Sequence, residues 1–374
     1  MHGSEAASGL RAQDLIDCAA VATEIVELTA ERLPALRRFA ERVWTRPKSD
    51  AFYRWRYQEL PLHRTWLALR DGEVLAMECA FQRPYRVGDE VVEILEVFDW
   101  FCLPELRNAG LGVRVQQRLM KELPCLLVGG SPDTQGLLPR LQFRVVAQAT
   151  RCVLPIGSQR LSRAIAQRVP ALPAALAQLA ARAALARPGQ RPRPRRVPPR
   201  GRAIAVAGVG DEIQALYRGP IGYAALPLWP DALLRWMQGG HPSLGHFVPL
   251  YFAIGDELLG WSLARVYPTA DGCDAELVEC FAPRPSVDLY TWMVSETATR
   301  VAAFGPGLLG ACSPCPLLVD ALARNGFVRA GQNPVQLYWP GRELPPGSLL
   351  IGANSGDSSL VPFAERWFDG CRES

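Results

Sequence analysis

Arg107, Asn108, Ala109, Gly110, Leu111 and Gly112 put an arginine three positions ahead of a glycine pair, where an apolar run gives way to a helical pattern. The first turn of a helix leaves backbone N–H groups without partners and concentrates partial positive charge there. Glycines let the oxygens of an anion approach that backbone. The pattern suits a diphosphate. Just upstream, EILEVFDWF supplies three carboxylates, Glu93, Glu96 and Asp99, the residue type that takes a proton from an attacking amine. Strand alternation puts Glu93 and Asp99 on one face and Glu96 on the other. Read blandly, the three acids are sheet-face charges. Further back, FYRWRY (residues 52–57) sets four aromatic rings around Arg54 and Arg56. Arg56 and Tyr57 are candidate acceptor contacts, while Phe52, Trp55 and Tyr53 have the spacing of core anchors.

These residues need a scaffold, and punctuation along the chain supplies one. An opening strand at Thr23–Leu28 and a helix at Arg32–Trp44 lead into FYRWRY, then three antiparallel strands split by RDGE and VGDE turns. The last of these runs Val91 to Leu103, where Pro104 ends the ladder. A helix at Gly110–Glu122, a strand at Cys125–Gly129 and a helix closing at Phe143 follow. The same rhythm returns after residue 203: PDALLRWMQGG, strands with IGDE and ADGC turns, a helix at Asp288–Phe304, a strand reaching a second Ser-Pro, and a helix closing on Phe327. Repetition of order, spacing and turns suggests an internal duplication. The layout is mixed α/β, not doubly wound.

Between the halves lies an Ala/Leu-rich helix, Leu172–Ala186, and then a Pro/Arg-rich stretch. Arg182 to Arg202 holds eight arginines and no acid, so the net charge of +4 leaves −4 on the remainder. The basicity is local, and suits a solvated connector or a weak anionic contact. The expected organisation is therefore residues 1–158, a helix and linker over 159–202, and residues 203–374.

An Arg-x-x-Gly-x-Gly turn directly after a strand ending in Pro-Glu, in this element order, resembles the acetyl-CoA motif of the GNAT N-acetyltransferase superfamily. The resemblance covers about residues 20–155, and the second half by topology only. It implies two GNAT-like domains in tandem, with acetyl-CoA as acyl donor and no metal. Arg107 to Gly112 would hold the pyrophosphate; Phe101, Cys102 and Leu103 would offer main-chain groups to the pantetheine arm. The fourth and fifth strands would splay to admit the thioester, with Asp99, and next Glu96, as candidate bases. The tyrosine that many members carry on the following helix is missing from TQGLLPRLQF, which leaves the general acid unassigned.

At the matching turn the second half reads FAPRPSVDLY, without a glycine pair and with Asp288 at the helix start, where it would cap the helix and repel a diphosphate. A degenerate copy walling an acceptor cleft is expected. The implied activity is transfer of an acetyl group to a primary amine, with similarity to proteins of bacterial surface-polysaccharide machinery suggesting an amino sugar. Two alternatives stay open: an aminoacyl-tRNA-dependent transferase, and a non-catalytic CoA-binding adaptor. No specific nucleic-acid contact is expected, the intact glycine turn counting against the tRNA reading.

Composition bounds the remainder. About half of the 374 residues are apolar, enough for a real core, and no run of about 18 apolar residues or leader-like segment appears, so a cytoplasmic location is expected. The ten cysteines are scattered, and Cys312 and Cys315 in CSPC lack the second pair or histidine that a zinc site needs.

Overall fold

The computed structural model describes residues 23–44, 49–158, 161–162, 165–166, 169, 171–186, 198–238, 245–269 and 272–351. Most of the Pro/Arg-rich stretch, the first 22 residues and the tail from 352 lie outside them. The first half runs β1 (Glu24–Glu27), α1 (Leu33–Val43), α2 (Asp50–Tyr57), β2 (His63–Arg70), β3 (Glu73–Val87), β4 (Glu90–Cys102), α3 (Leu111–Leu119), β5 (Cys125–Val128), α4 (Pro132–Leu137) and β6 (Arg144–Pro155). After α5 (Ala174–Ala186) come β7 (Gly201–Ala205), α6 (Glu212–Arg218), β8 (Ala225–Pro227), α7 (Asp231–Gln238), β9 (His246–Ile254), β10 (Glu257–Thr269), β11 (Gly272–Phe281), α8 (Val287–Ala302), β12 (Leu308–Ser313), α9 (Pro316–Arg324) and β13 (Val328–Tyr338).

Local chemistry accounts for the boundaries. Asp71 and Gly72 both have positive φ, 52° and 78°, the two-residue turn that matches strand twist and joins β2 to β3. Ser49 starts α2 by accepting the Phe52 amide at 3.2 Å. On α1, Leu36, Phe39 and Ala40 are buried, the face expected from their spacing. Three-residue β8, on the edge of β3 with Tyr85 opposite Pro227, is too short for any periodic signal.

All strands form one mixed sheet, ordered β1-β2-β3-β4-β5-β13-β6-β12-β11-β10-β9-β7, with β8 off the path. Among the described strands, β4–β5 and β11–β12 are the parallel pairs. Sequence order alone would seat β6 beside β5, but β13 takes that place, with Val335 opposite Val128. In turn β6 borders β12, with Leu154 opposite Leu309. Each half thus closes its sheet with the last strand of the other. A second junction is aromatic: Trp236 on α7 stacks on Trp55 of α2 at 4.5 Å, and its indole N–H donates to the Trp55 carbonyl at 3.2 Å. No helix among the described residues is long and apolar enough to cross a membrane.

Candidate active site

Only two rungs join β4 to β5, Leu95 with Cys125 and Glu96 with Leu126. Beyond them β4 continues to Cys102, while Gly129 and Gly130, at φ 82° and 97°, turn the other strand toward β13, where the Gly129 amide donates to the Pro334 carbonyl. The result is a V-shaped gap that opens toward the end of β4. At its mouth a 3₁₀ turn, Pro104–Ala109, leads to Gly110 at φ 72°, and the Arg114 amide makes the first helical bond to the Gly110 carbonyl at 3.0 Å. The amides of Leu111 to Val113 precede that bond.

The two glycines serve different ends. A Cβ on Gly110 would meet nothing within 4 Å, so this glycine is required by its left-handed backbone, and the space outside it is open. At Gly112 a Cβ would come within 3.0 Å of the Trp100 indole nitrogen, which donates to the Gly112 carbonyl. Arg107 and Asn108 are exposed at this turn, Ala109, Phe101 and Cys102 are half-buried, and Leu103 and Leu111 are buried.

Opposite Glu78 the β3–β4 ladder slips: Met77 faces Phe101 and Cys79 faces Phe98, so Asp99 and Trp100 share one partner position. This is a β-bulge, and Asp99 takes a left-handed φ of 50° within it. Alternation fails here. Phe98 lies with Glu96 on the α1–α2 face, as its ring contact with Phe81 requires, and the bulge turns Asp99 toward the same face instead of the Glu93 face. Glu93 stays half-buried on the far side.

The bulge brings three sequence candidates together. Asp99 Oδ2 accepts from Arg56 Nε and from the Tyr57 hydroxyl, each at 2.7 Å, and the Arg56 guanidinium lies over the Phe98 ring. Both Arg56 and Tyr57 are fully buried along with Phe52, Tyr53 and Trp55, so the aromatic helix supplies core anchors and polar contacts at once. Burial, reinforced by the Asp99 charge, lifts the Tyr57 phenol well above its ordinary range and keeps its proton on the donating hydroxyl.

A second buried pair lies beside the first. Glu96 accepts from Arg83 Nη1 at 3.1 Å and from the Tyr85 hydroxyl, while Arg83 Nε donates to the Leu228 carbonyl at 2.8 Å and its guanidinium covers the Trp229 ring at 4.4 Å. Sequence reading gave no hint of Arg83, since nothing in local spacing marks an arginine whose partner lies across a hairpin. It also missed Glu78, buried on the α3 side opposite Trp66 with no hydrogen-bond partner for either carboxyl oxygen among the described residues. Burial raises the Glu78 carboxyl well above the usual range.

No tyrosine lies on α4 or the 3₁₀ turn after it, and Ser131 is occupied in capping α4. Four of the cysteines are poor nucleophiles: burial pushes Cys102 up to about 11, Cys312 up to about 12, and Cys125 and Cys315 upward as well. Among the described residues no cluster of His, Cys, Asp or Glu could hold a metal. An open groove of about 730 Å³ lies at the other end of β5, between Phe143, Arg144, Tyr338 and Arg342, and contains none of the candidate residues.

A second short parallel pair lies in the second half. β11 and β12 share two parallel rungs, the second at Glu276, whose carboxylate pairs with Arg265 at 3.0 Å. Ser286, rather than Asp288, caps α8, and Asp288 pairs instead with Arg324 at 2.9 Å. The main chain beyond β11 is already engaged: the Gly222 amide donates to the Pro283 carbonyl at 2.8 Å and the Tyr223 hydroxyl to the Ala282 carbonyl at 3.1 Å. A Cβ on Gly222 would strike Pro285 at 2.8 Å, so glycine alone lets this segment sit so close.

No protein-family model matches this sequence, and no curated protein matches it. Solved structures do match. A GCN5-related N-acetyltransferase from Anabaena variabilis aligns at TM-score 0.56 and 12% identity, over 84% of this chain and 72% of its own. N-myristoyltransferase of Saccharomyces cerevisiae with bound myristoyl-CoA aligns at TM-score 0.55 and 10% identity, over 87% of each chain. Eis1 from Mycobacterium abscessus aligns at TM-score 0.50 and 15% identity, over 84% and 72%. At such identities the likeness concerns fold: this chain is built on the mixed α/β sheet of the GNAT acyltransferases.

Proposed function

We propose that the protein is an acyl-CoA-dependent N-acyltransferase with one CoA site, in its first half. The observation that carries this reading is Gly110, a left-handed helix cap facing open space at the mouth of a strand gap. A diphosphate at the amides of residues 111–113, with Arg107 and Asn108 beside it, would leave the pantetheine arm running into the gap along Phe101 to Leu103.

In the transfer, a neutral amine nitrogen attacks the thioester carbonyl, the new C–N bond forms, the C–S bond breaks, and CoA leaves as thiol after taking up a proton. The amine proton passes to a base. Asp99 is that base in this reading, through a water, with Glu96 the second candidate, because the bulge holds Asp99 three residues into the gap. Arg56 and Tyr57 orient its carboxylate. An amine, with a sugar as its carrier, is the acceptor class, acetyl the acyl group, and the cytoplasm the compartment.

The second half is a degenerate copy of the first in this reading. Support comes from the repeated two-rung gap and the repeated Glu–Arg pair at its second rung, Glu96 with Arg83 and Glu276 with Arg265. Its own segment, Gly222–Tyr223, takes the main-chain groups that a pantetheine arm would use. Calorimetric titration with acetyl-CoA tests the whole proposal: saturation near one equivalent supports it, two equivalents would refute the degenerate copy, and no binding at millimolar ligand would refute the CoA site.

A further inference from the structure

Resting on that CoA site, we infer that the buried Glu96–Arg83 pair lines the floor of the β4–β5 gap and restricts the donor to thioesters of about eight acyl carbons or fewer. The GNAT-type fold alone does not set this length. The diphosphate turn stands at the open end, so the reactive end of the arm points toward the rung at Glu96. From that rung to the end of β4 there are six residues, Val97 to Cys102, or roughly 20 Å of strand. A thioester at the Asp99 bulge leaves about 10 Å before the strands close, room for about eight extended carbons.

Beside the closing rung, on the α1–α2 face, the lining is charged and fully enclosed. The Glu96 and Arg83 side chains are both 0% exposed, and Leu126, the rung partner of Glu96, is 1% exposed. Arg83 cannot swing aside freely, because the Leu228 carbonyl and the Trp229 ring, both from the second half, hold it. Trp229 is anchored in turn, its indole N–H donating to Glu279 Oε2 at 2.9 Å. On the α3 side the floor is Val97 and Leu127 under Leu111 and Val115, all buried. A long acyl chain would have to part a buried ion pair and leave a charge unmatched, which outweighs the burial of a few methylenes. The second half thereby takes part in donor selection without binding the donor.

The test is a calorimetric series on the full chain with CoA, acetyl-CoA, octanoyl-CoA and dodecanoyl-CoA. The expected result is one equivalent of acetyl-CoA, with dodecanoyl-CoA at least tenfold weaker than octanoyl-CoA. Dodecanoyl-CoA binding as tightly as octanoyl-CoA would overturn the inference while leaving the CoA site standing; absence of binding by every member, CoA included, would overturn both. The double variant Arg83→Leu/Glu96→Leu, which removes both charges, should raise the dodecanoyl-to-octanoyl affinity ratio at least tenfold. A folded double variant with an unchanged ratio would also sink it, and should the variant not fold, the wild-type series decides alone.

Discussion

Asp99 Oδ2 and Arg56 Nε lie 2.7 Å apart, and neither side chain reaches solvent. A charge taken out of water on this scale depends on its partner. Asp99→Ala is expected to destabilise the fold by about 3–5 kcal/mol, because it strands the guanidinium. Asp99→Leu combined with Arg56→Met should recover most of that loss. Urea denaturation of the three proteins measures both, and a cost below about 1 kcal/mol for the single change would mean that the pair contributes little.

Gly110 makes a sharper distinction between shape and chemistry. Gly110→Val forces a β-branched residue into a left-handed backbone and should cost about 1–2 kcal/mol of stability and abolish CoA binding. Asparagine tolerates that conformation, so Gly110→Asn should remain near wild-type stability with weakened binding. Melting curves and CoA titrations of both separate the effects, and full affinity in the valine variant would move the diphosphate elsewhere.

The buried carboxyl of Glu78 has no hydrogen-bond partner among the described residues, and an unmet buried polar group costs about 1–3 kcal/mol. Glu78→Met, similar in length and apolar, should therefore raise stability by about that amount. A lower melting temperature in this variant would show that the carboxyl has a structural task.

Glu276 gives stability a pH dependence. Burial lifts its carboxyl from 4.5 to about 7 against the opposing pull of Arg265. The folded state therefore binds the proton more tightly than the unfolded one, and the contribution of Glu276 declines as pH rises from about 4.5 through about 7. At about 1.4 kcal/mol per pH unit the ceiling is about 3.5 kcal/mol, reduced because the carboxylate side chain keeps 18% exposure. Denaturation midpoints from pH 5 to 8 should fall more steeply in the wild type than in Glu276→Gln; parallel slopes would refute the assignment.

Much of the scaffold was legible because its signals are local. Asp71-Gly72 and Gly88-Asp89 announce the hairpins, Leu36, Phe39 and Ala40 the face of α1, and Gly110 the start of α3. The face of Asp99 was not legible, since a bulge is set by the partner strand and shifts the two-residue period without any mark in its own sequence. Arg83 and Trp229 escaped for a related reason: their contact spans the two halves, and neither residue lies in a motif. The exchange of β6 and β13 was equally hidden, because strand order depends on which edge is free when a strand arrives.

That exchange has a consequence for how the chain is made. β5 emerges from the ribosome about 200 residues ahead of β13, the strand that pairs with it. During that interval the Cys125–Val128 edge stands open, and β6 likewise waits for β12. Synthesis of the first half therefore cannot finish its folding, and a gene cut at the linker would yield two pieces with bare edges, prone to pair with whatever strand comes first.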